Sequence, residues 1–137
     1  MLKIIYYPKM NNKIISTAAF FGMTSIVLGA FGAHALKQVL TVEQLTTFET
    51  GVKYQMYHAL FLLFLGLNNH LNTKVKKTIL VLTIFGVIFF SGSIYLLATD
   101  CLNTFNFKGI GFVTPLGGLL LIIAWSLLMV NFLKKKI

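Results

Sequence analysis

Apolar residues run along this chain in long unbroken stretches, near 14–36, 54–71, 78–98 and 112–133, with short polar segments between them. A run of about 20 apolar residues is the length that crosses the hydrocarbon of a bilayer as an α-helix. The pattern predicts four such helices. The second apolar run, 54–67, is the shortest and needs either its polar start or residues 68–71 to reach across. The two-residue alternation of a membrane barrel is missing from these runs. The expected fold is therefore all-α: one antiparallel bundle of four transmembrane helices over residues 12–137, preceded by a short extension, 1–11. Residues 1–9 add no recognisable element, which makes Met10 a candidate start. The first apolar run exceeds the 7–15 residues of a typical signal-peptide core, so it reads as an uncleaved span although Ala33-His34-Ala35 resembles a cleavage site.

Residues 37–53 form the longest connection. Thr41-Val42-Glu43-Gln44 fits a capping box, in which threonine caps the helix and glutamine reaches back to it. Leu45, Phe48 and Val52 follow at helical spacing, and Gly51 reads as a break. The expectation is a short amphipathic helix on the outer membrane surface between spans one and two, with an ordinary polar loop as the alternative.

Composition agrees with the hydropathy pattern. Of 137 residues 57% are hydrophobic and 11% charged, against about a quarter charged in soluble domains, and the mean hydropathy is +0.83. The net charge of +9 comes from twelve lysines and no arginine. Nine lysines cluster at residues 3–13, 74–77 and 134–136; Lys37, Lys53 and Lys108 lie in the other two connections, with all three acids, Glu43, Glu49 and Asp100. By the positive-inside rule both termini and the 72–77 connection are cytoplasmic. The basic balance is a topology signal, and nucleic acid is not an expected partner; membrane lipids are. The expected location is a bacterial cytoplasmic (inner) membrane. Cys101, the single cysteine, makes no intrachain disulfide and reads as a small interfacial residue.

Small residues recur in span one as Ala18, Gly22, Ser25, Gly29 and Gly32, one heptad face. Gly92 in span three and Gly117, Gly118 and Ala124 in span four add more small surface. Such faces let membrane helices approach closely, within one bundle or against a second copy or a partner membrane protein. Thr114-Pro115 marks a helix start, and the glycine pair after it reads as close packing or as a receptor for an anionic headgroup.

Polar chemistry gathers in "VKYQMYHAL", residues 52–60. Tyr54, Gln55, Tyr57 and His58 open span two. With the lysine topology, these residues lie towards the outer end, as do His34, Ser91, Ser93, Tyr95 and Thr114. The sequence predicts a cluster of His34, His58, Tyr54, Gln55 and Ser93 just below the outer surface. Structural hydrogen bonding, a pocket for a small molecule or lipid headgroup, proton or ion movement, and haem or metal ligation are the open readings, the first two leading. Two histidines without a carboxylate or thiolate are a weak metal signal, so no metal or cofactor is assigned, with haem or quinone as the remaining possibilities. No nucleophile–base pair or carboxylate dyad marks an enzyme.

"GAFGAHAL" (29–36), "FETGVKYQMYHAL" (48–60), "FFSGSIYLL" (89–97) and "TPLGG" (114–118) occur in that order. Together they resemble the small integral membrane family known as domain of unknown function 423, related to animal transmembrane protein 256. The resemblance spans residues 12–133. It implies a multi-span membrane protein and brings no activity, cofactor or site residue with it. A structural or interaction bundle that binds lipid or a small ligand is the leading expectation. An oligomeric transporter or channel subunit comes next, then a redox component.

Overall fold

A computed structural model describes residues 8–134, and among them there is no strand. α1 (Lys9–His34) is followed by a short 3-10 turn, Leu36–Gln38. α2 (Val42–Leu67) returns antiparallel to it. α3 (Thr73–Val87), a π turn at Ile88–Gly92, and α4 (Ser93–Ala98) form one rod. Two further 3-10 turns lead to α5 (Val113–Leu133).

Three helical segments are long and apolar enough to cross a membrane: Lys9–Gln38, Thr73–Ala98 and Phe107–Leu133. α2 does not join them on composition: its first half carries Glu43, Glu49 and Lys53, and Gln55 and His58 follow. That first half is where the sequence reading needs correction. The expected surface helix and the expected second span are one continuous 26-residue helix. The capping box does form: Gln44 N–H donates to Thr41 Oγ1 at 3.2 Å, and Thr41 N–H to Gln44 Oε1 at 3.0 Å. Gly51, however, is no break. An added Cβ there would lie 2.7 Å from the Tyr95 ring, so glycine serves close approach. The helix also ends sooner than expected, at Leu67, and 68–72 is a connection. Lys9 and Met10 already belong to α1, so the supposed 1–11 extension is in part helix; residues 1–7 lie outside the described residues.

α1 and α2 pack along their length through the small stripe. Added Cβ atoms at Gly22, Gly29 and Gly32 would meet Ala59, Val52 and Phe48 of α2 at 3.8, 3.5 and 3.2 Å. Ala18 is buried, and Ser25 Oγ donates to Val52 O at 3.0 Å. The seam therefore closes within the chain. α5 meets the α3 rod even more closely. A Cβ at Gly117 would collide with the Phe90 backbone nitrogen and stand 2.7 Å from the Phe89 carbonyl carbon. A Cβ at Gly86 would stand 2.7 Å from Leu121 Cγ. Gly117 thus serves the close approach of α5 to the π turn. Gly118 meets only the Phe90 ring, at 3.5 Å. Gly92, expected at a packing face, has open space where a side chain would stand. The core fills with Ile14, Leu62, Leu65, Ile79, Leu121 and Ala124.

Candidate functional site

A polar seam descends inside the bundle from the start of α5 to mid-length. At its upper end, Ser93 Oγ lies 2.5 Å from Phe89 O and 2.6 Å from Thr114 Oγ1. A hydroxyl has one proton. Given to the Phe89 carbonyl, it leaves Thr114 as donor in the second bond. A π turn leaves backbone acceptors poorly matched, and Ser93 supplies one of them. Ser91 Oγ donates to Gly51 O at 2.8 Å, tying the π turn to α2.

One turn deeper, Tyr95 Oη donates to Gln55 Oε1 at 2.8 Å. Gln55 Nε2 donates to Thr24 Oγ1 at 2.7 Å and to Phe21 O at 3.0 Å. Both amide protons and the carbonyl are engaged, so this side chain joins α1, α2 and α4. Among the described residues no buried side-chain nitrogen or oxygen lacks a partner.

His58 ends the seam. Its Nδ1 lies 2.7 Å from Tyr54 O, and Trp125 Nε1 lies 3.2 Å from its Nε2. A carbonyl only accepts and an indole N–H only donates. The proton therefore sits on Nδ1, and Nε2 presents its lone pair: the ring is a neutral imidazole. Ala59, the next residue, faces Gly22 near the middle of α1, and Trp125 lies near the middle of α5. This corrects the expected depth. The histidine sits at mid-length of the bundle rather than beneath its outer surface.

His34 is not part of this arrangement. Gly32 packs beside Phe48 and Leu45, so the exposed His34 at the end of α1 is level with the region of Leu45. His58 is about thirteen residues further along α2, roughly 20 Å at 1.5 Å per residue. The two histidines cannot share a metal ion or a haem iron. The expectation of proximity came from starting the second helix at Tyr54 instead of Val42.

Beside His58 an apolar groove of about 590 Å³ opens between α2 and α5, lined among others by Tyr54, Phe90, Leu121, Trp125 and Met129. Ligand pockets usually measure about 300–1,000 Å³. Smaller depressions continue it past Tyr57 and Phe64 to Phe132. Tyr54 stands with its ring 4.9 Å from Phe90 and 5.7 Å from Tyr57, which is 55% exposed on the outer face of α2.

A second polar cluster, missed in the sequence, closes the lysine-rich end. Lys76 is 3% exposed. Its Nζ donates to Asn11 Oδ1 at 2.7 Å and to Asn68 O, and Asn11 Nδ2 donates to Asn69 Oδ1 at 3.1 Å. Lys76 was hidden among topology lysines. Trp125 was also missed, although a tryptophan in mid-span stands away from the interfacial belt where the residue is usual.

The model of the family described as protein of unknown function (DUF423) matches residues 28–118. The chain belongs to the DUF423 family. This DUF423 chain is 34% identical over 127 residues to a UPF0382 membrane protein of Haemophilus influenzae, covering 93% of this chain and 98% of the relative. It is 37% identical over 120 residues to a UPF0382 membrane protein of Staphylococcus saprophyticus (88% and 96% covered). To the UPF0382 inner membrane protein YgdD of Escherichia coli it is 33% identical over 122 residues (87% and 88% covered). No solved structure matches. It is a small all-α membrane protein with at least three helices suited to crossing a bilayer.

Proposed function

We propose that this DUF423 protein is a four-span bundle of the bacterial inner membrane that binds a lipid-phase small molecule in the groove between α2 and α5. The carrying observation is the neutral His58 imidazole and the Trp125 indole at the wall of an apolar groove in mid-membrane. Polar side chains at that depth are costly and usually functional. The fourth crossing is α2: it runs antiparallel along the length of α1, which is apolar enough to span. Both termini then lie on the lysine-rich, cytoplasmic side. Saturation of the buried polar atoms favours a fixed binding wall over an ion path. The groove carries no nucleophile–base pair, so the proposed role is binding without turnover.

Native mass spectrometry of protein extracted in mild detergent tests this. The wild type should retain a bound small molecule. Ser126→Phe, which fills the groove from an exposed position on α5, should lose it while keeping the helical far-UV signal. Absence of any adduct on the wild type, or equal retention by both proteins, would remove the reading.

A further inference from the structure

We infer that the ligand of this groove is an uncharged lipid alcohol: a single hydroxyl set between His58 and Trp125, carried on a long hydrocarbon chain that lies along α5. The inference rests on the binding role proposed above and names its ligand class.

The head group follows from the two ring nitrogens. Nε2 of His58 needs a donor, and Nε1 of Trp125 needs an acceptor; at present they meet each other across 3.2 Å. A hydroxyl meets both needs from one oxygen. It donates its proton to Nε2 and accepts the indole proton, turning the direct bond into a bridge. A ketone or ester carbonyl only accepts, so it would take the indole proton and leave Nε2 without a donor. An ammonium has the proton for Nε2 but no lone pair for the indole, and it brings a charge into mid-membrane. A phosphate or carboxylate would need a cation, and the residues lining the groove include neither lysine nor arginine.

Trp125 has open space beside it. It is 49% exposed at the groove edge, whereas His58 is 4% exposed and anchored through Nδ1 to its own helix. The indole, open on one side, is thus the partner that would shift, and the imidazole the one that would stay.

The tail follows from the groove. Its apolar wall continues along α5 from Gly118 to Phe132 through the adjoining depressions. From Trp125 the wall runs seven residues, about 10 Å, to Phe132, enough to hold the first part of an acyl or prenyl chain whose remainder lies in the bilayer. Because the hydroxyl site lies at mid-length of the bundle, a lipid held by its glycerophosphate head at the membrane surface cannot reach it with that head. A neutral alcohol, whose head is cheap to bury, can.

Trp125 is the only tryptophan in the chain, so its fluorescence reports the site without labelling. Bilayer-reconstituted protein is titrated with three brominated quenchers of equal chain length: a long-chain alcohol, its methyl ether and a phosphatidylcholine. The alcohol should quench saturably, with half-saturation at a mole fraction roughly three- to twenty-fold lower than the ether, the ratio that one hydrogen bond within a membrane supplies. Phosphatidylcholine should quench only in proportion to its bulk fraction. His58→Ala should bring the alcohol to the level of the ether. Saturable quenching that is equal for alcohol and ether in the wild type overturns the hydroxyl assignment while leaving the groove a binding site. Saturable preference for phosphatidylcholine also overturns it. Quenching that saturates with none of the three overturns both the assignment and the binding role. The alcohol-to-ether comparison needs only the wild type, so a misfolded variant does not remove the test.

Discussion

Trp125 donates from α5 to the imidazole of His58 on α2 across 3.2 Å, and this bond joins two helices at mid-length of the bundle. Hydrogen bonds between membrane helices are worth about 0.6 kcal/mol on average and up to about 1.7. His58→Ala should therefore lower thermal stability in detergent by that modest amount. It should also shift Trp125 emission to shorter wavelength, because the indole N–H loses its acceptor. An unchanged emission spectrum would show that the two rings do not meet.

His34→Ala should leave stability within about 0.5 kcal/mol, as expected of a surface substitution. Its effect should add strictly to that of His58→Ala, since residues far apart without shared partners are independent. A non-additive double mutant would bring the two histidines back together and contradict the α1–α2 register.

The glycines separate by what stands opposite them. Gly117→Ala should destabilise the bundle by about 1–3 kcal/mol through overpacking against the Phe89–Phe90 backbone. Gly92→Ala should be neutral or gain up to about 1 kcal/mol from helix propensity, because its Cβ would meet nothing within 4 Å. Paired thermal melts decide; equal losses at both positions would refute the approach of α5 to the π turn.

Lys76 and Lys77 are neighbours with opposite surroundings, buried and exposed. Lys76→Met leaves Asn11 Oδ1 and Asn68 O without their donor and should cost about 1–3 kcal/mol. Lys77→Met should stay within about 0.5 kcal/mol. Denaturation of the two variants side by side checks this, and similar stabilities would place Lys76 at the surface.

The exposed Cys101 is a natural topology probe. In intact cells an impermeant thiol reagent should label it from outside. In a Cys101→Ser background, Thr73→Cys should react only after the membrane is opened. Labelling of both from one side would contradict a membrane crossing by the rod of α3 and α4, Thr73–Ala98.

Periodicity and hydropathy carried the gross architecture, because a bilayer imposes its thickness on every apolar run. They located three apolar spans, the Thr41 cap and the small-residue seam of α1. They failed where tertiary contact decides. Gly51 reads as a breaker only until Tyr95 is seen against it, and the long α2 that results sets the depth of His58. Gly66 and Gly86, which a Cβ would bring into collision with Ile15 and Leu121, belong to no stripe. Of the candidate polar residues, Gln55 bonds Tyr95, Ser93 pairs separately with Thr114, Ser91 bonds the Gly51 carbonyl, and His34 lies far away. No linear spacing marks Trp125 as the partner of His58, since the two are 67 residues apart.

The π turn at Ile88–Gly92 holds one residue more than an α-helical turn would. It acts as a phase shifter in the third rod. If the same residues wound as plain α-helix, everything after them would rotate by about 100°, the turn of one residue. Tyr95 would turn from Gln55 and Ser93 from Thr114, while the rod kept its length and its hydropathy. The interior of this bundle is thus set by counting as much as by composition, and a one-residue deletion in the α-helical part of this rod, where no bulge absorbs it, would do more harm than many substitutions.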